Sequence, residues 1–242
     1  MLAGPDSTLE TMTHAFADTI HALDSASELD RDRTDDDRKF FADRKTLLGP
    51  LLSQLIAARR AIEDHDLGDG SRLQMRVEIG DQVLDRGVSD GNTRTKLALK
   101  GKPGLEPSHV FGKNVATLTK EKIALEPAKV LEAMGRMADV PDFPEKPAIV
   151  KDLTDRAAQQ QTCLDAREKG LAARNKLVST SIKLVVDCSH ALAALKGALD
   201  ERFPRQREYV AAFFADVAPR RAAPAAPAGT PPAAPPAVSP PA

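Results

Sequence analysis

The chain has few of the residues that usually build a β-rich or mixed core. Only 4% of its 242 residues are aromatic, tryptophan is absent and tyrosine occurs once. Leucine and alanine must therefore supply most of the buried area, which suits helix-on-helix packing because small side chains let helix axes approach closely. The scarcity of aromatic residues thus favours an all-α fold.

An excess of charge of one sign and a long apolar run are also missing. The 34 basic and 35 acidic residues give a formal net charge of −1, which provides no global attraction to nucleic acid or to an anionic membrane. No stretch approaches 18 consecutive apolar residues, and the first residues lack the basic and apolar regions of a secretory signal. We therefore expect a cytoplasmic protein with no membrane segment, and we do not expect nucleic acid as its main partner.

The two cysteines do not form a recognisable site. If Cys163 and Cys188 lie on one helix, they are about 37 Å apart along its axis, far beyond the ~7 Å limit between the Cα atoms of a disulfide. Their spacing is not that of a zinc site. We expect two reduced thiols.

The strongest positive signal is the segment 147–203, which has no internal proline and a seam of side chains at alternate steps of three and four. This pattern predicts one long, coiled-coil-like helix that needs partner helices to cover its seam. Gly170 resembles a C-terminal cap, but neither a loop nor a new capping residue follows it, so we predict an unbroken helix. The seam positions are Val150, Leu153, Ala157, Gln160, Leu164, Arg167, Leu171, Arg174, Val178, Ser181, Val185, Cys188, Leu192, Leu195 and Leu199.

The seam is not uniform along this helix. It is apolar near Leu153 and again from Val178 to Leu199, whereas the part from Gln160 to Arg174 is polar. We predict that the C-terminal zone is buried in the bundle and that the middle zone is exposed or forms an interface.

Shorter helices are predicted over the rest of the chain. The first spans about 8–29 behind a capping box formed by Ser7 and Glu10, and Thr34 can cap the second, which ends before Leu67. Pro50 predicts a kink or a restart within the second helix. Further helices are expected at 71–86, near 115–125, from 126 onward and at 205–217.

Glycine and proline predict an irregular region and a tail. Six of the fourteen glycines fall in 80–112, so we end the third helix at Gly87 and expect a Gly-rich basic arm at about 87–114. Within it, 93–99 alternates with period two, which fits a short strand, an extended arm or one amphipathic turn. The Pro- and Ala-rich composition of 219–242 predicts a disordered tail.

Together these patterns predict an all-α fold, an elongated helical bundle with coiled-coil-like long helices and a Gly-rich irregular insertion. We divide the chain into a helical hairpin at 1–67, a smaller helical region with the basic arm at 68–140, the long helix with a short aromatic helix at 141–218, and the tail at 219–242. No motif identifies a family.

The long helix indicates a non-enzymatic structural or adaptor protein that acts through helical protein–protein interfaces, as part of an assembly with a protein partner or as a homo-oligomer. A seam that contains arginine and glutamine favours a specific, partly wet interface over a dry core. No G-x-S-x-G or H-E-x-x-H motif is present, so we predict no enzyme activity and no cofactor. The candidate partner-binding residues are Gln160, Arg167, Arg174, Tyr209 and Phe213.

The basic arm supports an alternative function as a phosphate- or nucleic-acid-binding module, since residues 94–122 carry a net charge of +5. Against it, the arm has no G-x-x-x-x-G-K-[ST] motif, and Phe111 is the only aromatic residue that could stack on a base. The candidate phosphate-binding residues are Arg94, Lys96, Lys100, Lys102 and Lys113.

A weak metal candidate lies on the first helix. His14, Asp18 and His21 are spaced i, i+4 and i+7 and therefore share one face. The Glu-x-x-His motifs of ferritin-like bundles are absent. We interpret the three residues as a polar helix face and expect no metal.

Overall fold

The computed structural model describes residues 2–100, 107–112 and 115–214. These residues form an all-α fold with long helices, and no strand occurs among them, which confirms the predicted fold class. The tail at 219–242 lies outside the described residues. The helices are α1 (Leu9–Leu29), α2 (Asp35–His65), α3 (Ser71–Ala98), α4 (Ser108–Phe111), α5 (Glu126–Arg136), α6 (Lys146–Arg202) and α7 (Arg207–Ala212).

Three short helical segments complete the description. A five-residue π-helix, Asp66–Gly70, joins α2 to α3, and 3₁₀ turns occur at Val115–Thr117 and Met137–Asp139. α2 ends at His65, before Leu67 as predicted. Because the residues on either side of the π-helix are also helical, no loop separates α2 from α3. A π-helical turn of this kind is rare and is often found at functional sites.

The ends of the first two helices show which capping signals were correct. Thr8, rather than the expected Ser7, caps α1 by accepting a hydrogen bond from the Thr11 N–H at 3.1 Å. At the start of α2, the Thr34 hydroxyl accepts from the Asp37 N–H and the Asp37 carboxylate accepts from the Thr34 N–H. The predicted cap at Thr34 is therefore confirmed as a reciprocal capping box.

Pro50 does not restart α2, which runs without a break from Asp35 to His65. Proline removes one backbone hydrogen bond to the carbonyl four residues earlier, which here belongs to Thr46. Both Pro50 and Thr46 are exposed, so water can satisfy that carbonyl.

The long helix α6 is continuous through Gly170 from Lys146 to Arg202, as predicted. By contrast, α3 extends to Ala98, so the predicted stop at Gly87 and the strand or extended arm at 93–99 are wrong. The reason lies in how Gly87 and Gly91 pack, which is described below.

The chain forms two compact units. Of the described residues, the first unit contains 2–55 and 185–214, and the second contains those between 56 and 184. In the first unit, α1, α2 and α6 each bury one apolar face. Its aromatic cluster centres on Phe41, whose ring lies 5.9 Å from that of Phe203 and 5.7 Å from that of Phe213.

The second unit has a core built from α3, α4, α5 and the start of α6. Its buried residues are Leu84, Val88, Leu99, Val110, Phe111, Leu118, Val130, Ala133, Met134, Met137, Val140, Phe143, Ile149, Leu153 and Ala157. The part of the second unit that precedes Leu84 along α3 contributes no residue to this cluster.

Candidate interaction surface

Within the second unit, α3 and α6 meet across three glycines. Gly80, Gly87 and Gly91 are spaced i, i+7 and i+11 and therefore lie on one face of α3. A Cβ atom at Gly80 would overlap the Gln160 Oε1 atom, and one at Gly91 would lie 3.0 Å from a methyl group of Leu153. These glycines make room for α6 side chains instead of ending the helix.

Two polar side chains of α6 use this room to reach the backbone of α3. The Gln160 amide donates to the Val77 carbonyl at 3.1 Å, and the Arg156 guanidinium donates to the Val83 carbonyl at 3.0 Å. Gln160 is fully buried, so it belongs to the interior of the second unit and not to an exposed surface. The prediction that Gln160 lies in the exposed part of the seam is therefore wrong.

The seam of α6 is buried near its two ends and uncovered in the middle. Leu153, Ala157 and Gln160 are buried in the second unit, and seam positions from Ser181 to Leu199 are buried as well. Between them, no seam residue from Leu164 to Val178 is buried, and 49% of Leu171 is exposed. The predicted difference in burial between the middle and C-terminal zones is confirmed, although the unburied zone begins after Gln160.

A groove of about 410 Å³ runs beside this middle zone, between it and the π-helix with the first turns of α3. Its apolar wall includes Leu171 of α6 and Met75 of α3, which is 52% exposed. Gly70 and Gly170 add no side chains to it. The lining residues are His65, Asp66, Gly70, Ser71, Leu73, Gln74, Met75, Arg167, Gly170, Leu171 and Arg174.

One ion pair crosses this groove. The Arg174 guanidinium donates to both oxygens of Asp66, at 2.6 and 2.9 Å. The hydrogen bond from Arg174 holds the pKa of Asp66 below its ordinary value, and the same bond raises the pKa of Arg174. The His65 Nδ1 atom lies 3.5 Å from Asp66 and has no hydrogen-bond partner.

Arg167 differs from Arg174 because no described residue pairs with it. It lines the groove and is half-buried, yet it forms no hydrogen bond or ion pair among the residues that the structure describes. Arg76, on the exposed side of α3, likewise has no such partner. The groove therefore combines an apolar wall with an unneutralised positive charge, which is the chemistry of a site for an amphipathic, acidic ligand.

The aromatic candidates on the last helix lie in the first unit. Phe213 is buried against Phe41, so it is a core residue and not part of an exposed surface. Tyr209 is half-buried, with the Arg33 guanidinium 4.4 Å from the centre of its ring. Burial raises the pKa of the Tyr209 hydroxyl. α7 is shorter than the predicted helix at 205–217.

The basic candidates are not gathered into a pocket by the described residues. Arg94 and Lys96 are exposed on the last turns of α3, and Lys100 is exposed just beyond its end. Lys102 and Lys113 lie outside the described residues.

The metal candidates lie on one face of α1 and are not placed as a set of metal ligands. His14 and His21 are exposed on α1 and Asp18 is half-buried, and the described residues include no group of three or more potential ligands placed to hold a metal ion. Cys163 and Cys188 are free thiols, both buried and in different units. Burial raises the pKa of Cys188 to about 11, which keeps it a thiol at neutral pH.

One helix in the described part of the chain is long and apolar enough to cross a membrane by length and composition. Within α6, an 18-residue stretch has a mean hydropathy of 1.3, and 28% of it is buried. Core helices of water-soluble proteins meet the same criterion, so the stretch by itself does not assign a membrane span.

We found no match to this chain among protein-family models, curated proteins or solved structures. The functional argument therefore rests on the groove and on the charges around it.

Proposed function

We propose that the protein is a non-enzymatic structural or adaptor protein that binds a helix of a partner protein in the groove beside the middle of α6. The observation that carries this proposal is the combination of half-exposed Leu171 and Met75 with an unpaired, half-buried arginine, Arg167. Large apolar side chains grouped at one exposed place mark interaction sites more often than scattered ones do.

The charges favour a partner helix that carries a carboxylate. Arg174 is already neutralised by Asp66, so a partner that approaches the groove meets Arg167 as the free charge. An acidic side chain opposite Arg167 would form a charge-assisted hydrogen bond, while apolar side chains one turn away would cover Leu171 and Met75. The chain's own segment 219–242 does not fit this description, because it has no acidic residue and carries Arg220 and Arg221.

Photo-crosslinking in living cells tests the proposal. Leu171 is replaced by the photo-reactive residue benzoylphenylalanine, and the same replacement at exposed Ala173, which points to another side of α6, is the matched control. We expect one discrete adduct from position 171 and none from position 173. Mass spectrometry should map it to an amphipathic, acidic helical segment of another protein.

The charge requirement is tested in the same assay. In the background of the position-171 crosslinker, Arg167→Glu should abolish the adduct because it places like charges together, whereas Arg167→Lys should retain part of it. Equal adducts from both positions, no adduct at either, or an adduct that joins two copies of this chain would each contradict the proposal.

A further inference from the structure

A buried carboxyl group, that of Glu126, lies in the second unit where α5 begins, near two aspartates of α3. Glu126 is the first residue of α5 and is only 1% exposed. Asp81 and Asp85 are one helical turn apart on α3, and both are close enough to Glu126 to shift its pKa.

No ion pair with a cation is formed by Glu126 among the described residues. The charged residues with the largest effects on Glu126 are Asp81 and Asp85. On α5 itself, Lys129 is paired with Glu132, and Arg136 donates to the Val110 carbonyl. On α6, Arg156 is bonded to Asp152 and to the Val83 carbonyl.

The geometry leaves two oxygens of these carboxyl groups without a partner. The Glu126 Oε1 and Asp85 Oδ1 atoms are both buried and form no hydrogen bond. Leaving a buried charged oxygen in this state is far more costly than leaving a neutral one. A proton on Glu126 removes that charge.

A divalent cation would be the other way to neutralise three carboxyl groups. The described residues hold no group of three acidic, histidine or cysteine side chains placed to bind a metal ion. The geometry therefore favours a proton over a cation.

We infer that the buried Glu126 carries a proton in the folded protein, and that this proton controls the docking of α5 on α3. The same helix buries Val130, Ala133 and Met134 in the core of the second unit, so loss of the proton would set charge repulsion against apolar packing. This inference uses residues outside the groove and is independent of the proposed function.

The direction of the pH dependence follows from the shifted titration. Burial and, after it, the nearby Asp81 and Asp85 raise the pKa of Glu126 to about 9. Burial also raises the pKa of Asp85. A group with a raised folded pKa binds its proton more tightly when folded, so its contribution to stability is full below the unfolded pKa of about 4.3 and is lost as the pH rises through 9.

The isosteric variant Glu126→Gln tests this inference because its amide keeps a donor at the same place but cannot titrate. Hydrogen exchange of the peptide 126–136 is compared between the two proteins at each pH, so that the intrinsic pH dependence of exchange cancels. The equilibrium constant for the local opening that permits exchange should increase with pH in the wild type relative to the variant. Between about pH 5 and pH 9, the ratio of the wild-type constant to the variant constant should rise by up to about tenfold per pH unit. The same substitution at exposed Glu121 should leave the ratio unchanged.

Infrared difference spectra provide the direct readout. At pH 7 the wild-type protein should show the carbonyl band of a protonated carboxylic acid that Glu126→Gln lacks, and the band should vanish as the pH passes about 9. Absence of that band at pH 7, or equal pH dependence in both proteins, would overturn the inference. It would also be overturned if added Mg²⁺ or Ca²⁺ restored wild-type protection at pH 8, since the ligand would then be a cation.

Discussion

The two compact units bury their helices by different means. The first unit uses large apolar side chains, with Phe41, Phe203 and Phe213 stacked in one cluster. The second brings α3 and α6 together through glycines on one helix and polar side chains on the other, which bond to backbone carbonyls. The difference indicates that packing in the first unit depends on large side chains. The contact of α3 with α6 in the second unit depends instead on the absence of side chains at the glycines.

The largest expected effect in this comparison is the loss of an aromatic ring from the first unit. Phe41 is fully buried, so Phe41→Ala should lower the free energy of unfolding by about 3–5 kcal/mol, because it leaves a cavity beside two rings. Urea unfolding followed by tyrosine fluorescence measures this unit, since Tyr209 is the only tyrosine and tryptophan is absent.

The control for this change lies on the same helix. Leu47 is 62% exposed, and Leu47→Ala should alter the free energy of unfolding by no more than about 0.5 kcal/mol. A similar loss for both variants would mean that the aromatic cluster does not hold the first unit together.

The second unit should lose stability when side-chain volume is added at its helix contact. In Gly91→Leu the new side chain would meet Leu153, Ile149 and Phe111, all buried. We expect a loss of about 1–3 kcal/mol from overpacking, which outweighs the gain of up to about 1 kcal/mol in helix propensity. Urea unfolding followed by far-ultraviolet circular dichroism measures the difference.

Replacing Gly135 with leucine separates the cost of overpacking from the gain in helix propensity. Gly135 lies in α5, is exposed and has no neighbouring atom within 4 Å of an added Cβ. Gly135→Leu should therefore stabilise the second unit by about 0.5–1 kcal/mol. If both glycine variants were stabilising, the close approach of α3 and α6 at Gly91 would not be needed for stability.

These contrasting contacts explain which parts of the fold the sequence could predict. Apolar periodicity detects contacts made by large side chains, so it predicted α6, its continuity through Gly170 and the uncovered middle of its seam. It could not detect the contact of α3 with α6, because glycine has no side chain and locally resembles a helix terminator. The interpretation of Gly87 as a stop failed because Arg156 and Leu153 of a distant segment fill the space beside it.

The candidate site was predictable in part for the same reason. Arg167 and Arg174 interrupt an apolar seam, and that interruption is visible in the sequence. Asp66, which pairs with Arg174, is 108 positions away and lies in a π-helical turn with no recognised sequence signal. The buried Glu126 and the two aspartates near it were missed because they come from two helices whose packing no local pattern reveals.

The smallest expected effect concerns the ion pair between Asp66 and Arg174 in the groove. Its removal creates neither a cavity, as at Phe41, nor a steric overlap, as at Gly91. A double-mutant cycle with Asp66→Asn and Arg174→Met should give a small favourable coupling that weakens with added salt, since both side chains are about 40% exposed. Because the folded pKa of Asp66 is lowered, this coupling should be complete above the ordinary aspartate pKa and disappear as the pH falls through the lowered value.

A parallel cycle that pairs Asp66→Asn with Arg167→Met should show no coupling at any pH. Equal coupling in both cycles would mean that Asp66 acts on the groove through its general field, and that the difference between the two arginines, on which the proposed partner site depends, does not exist.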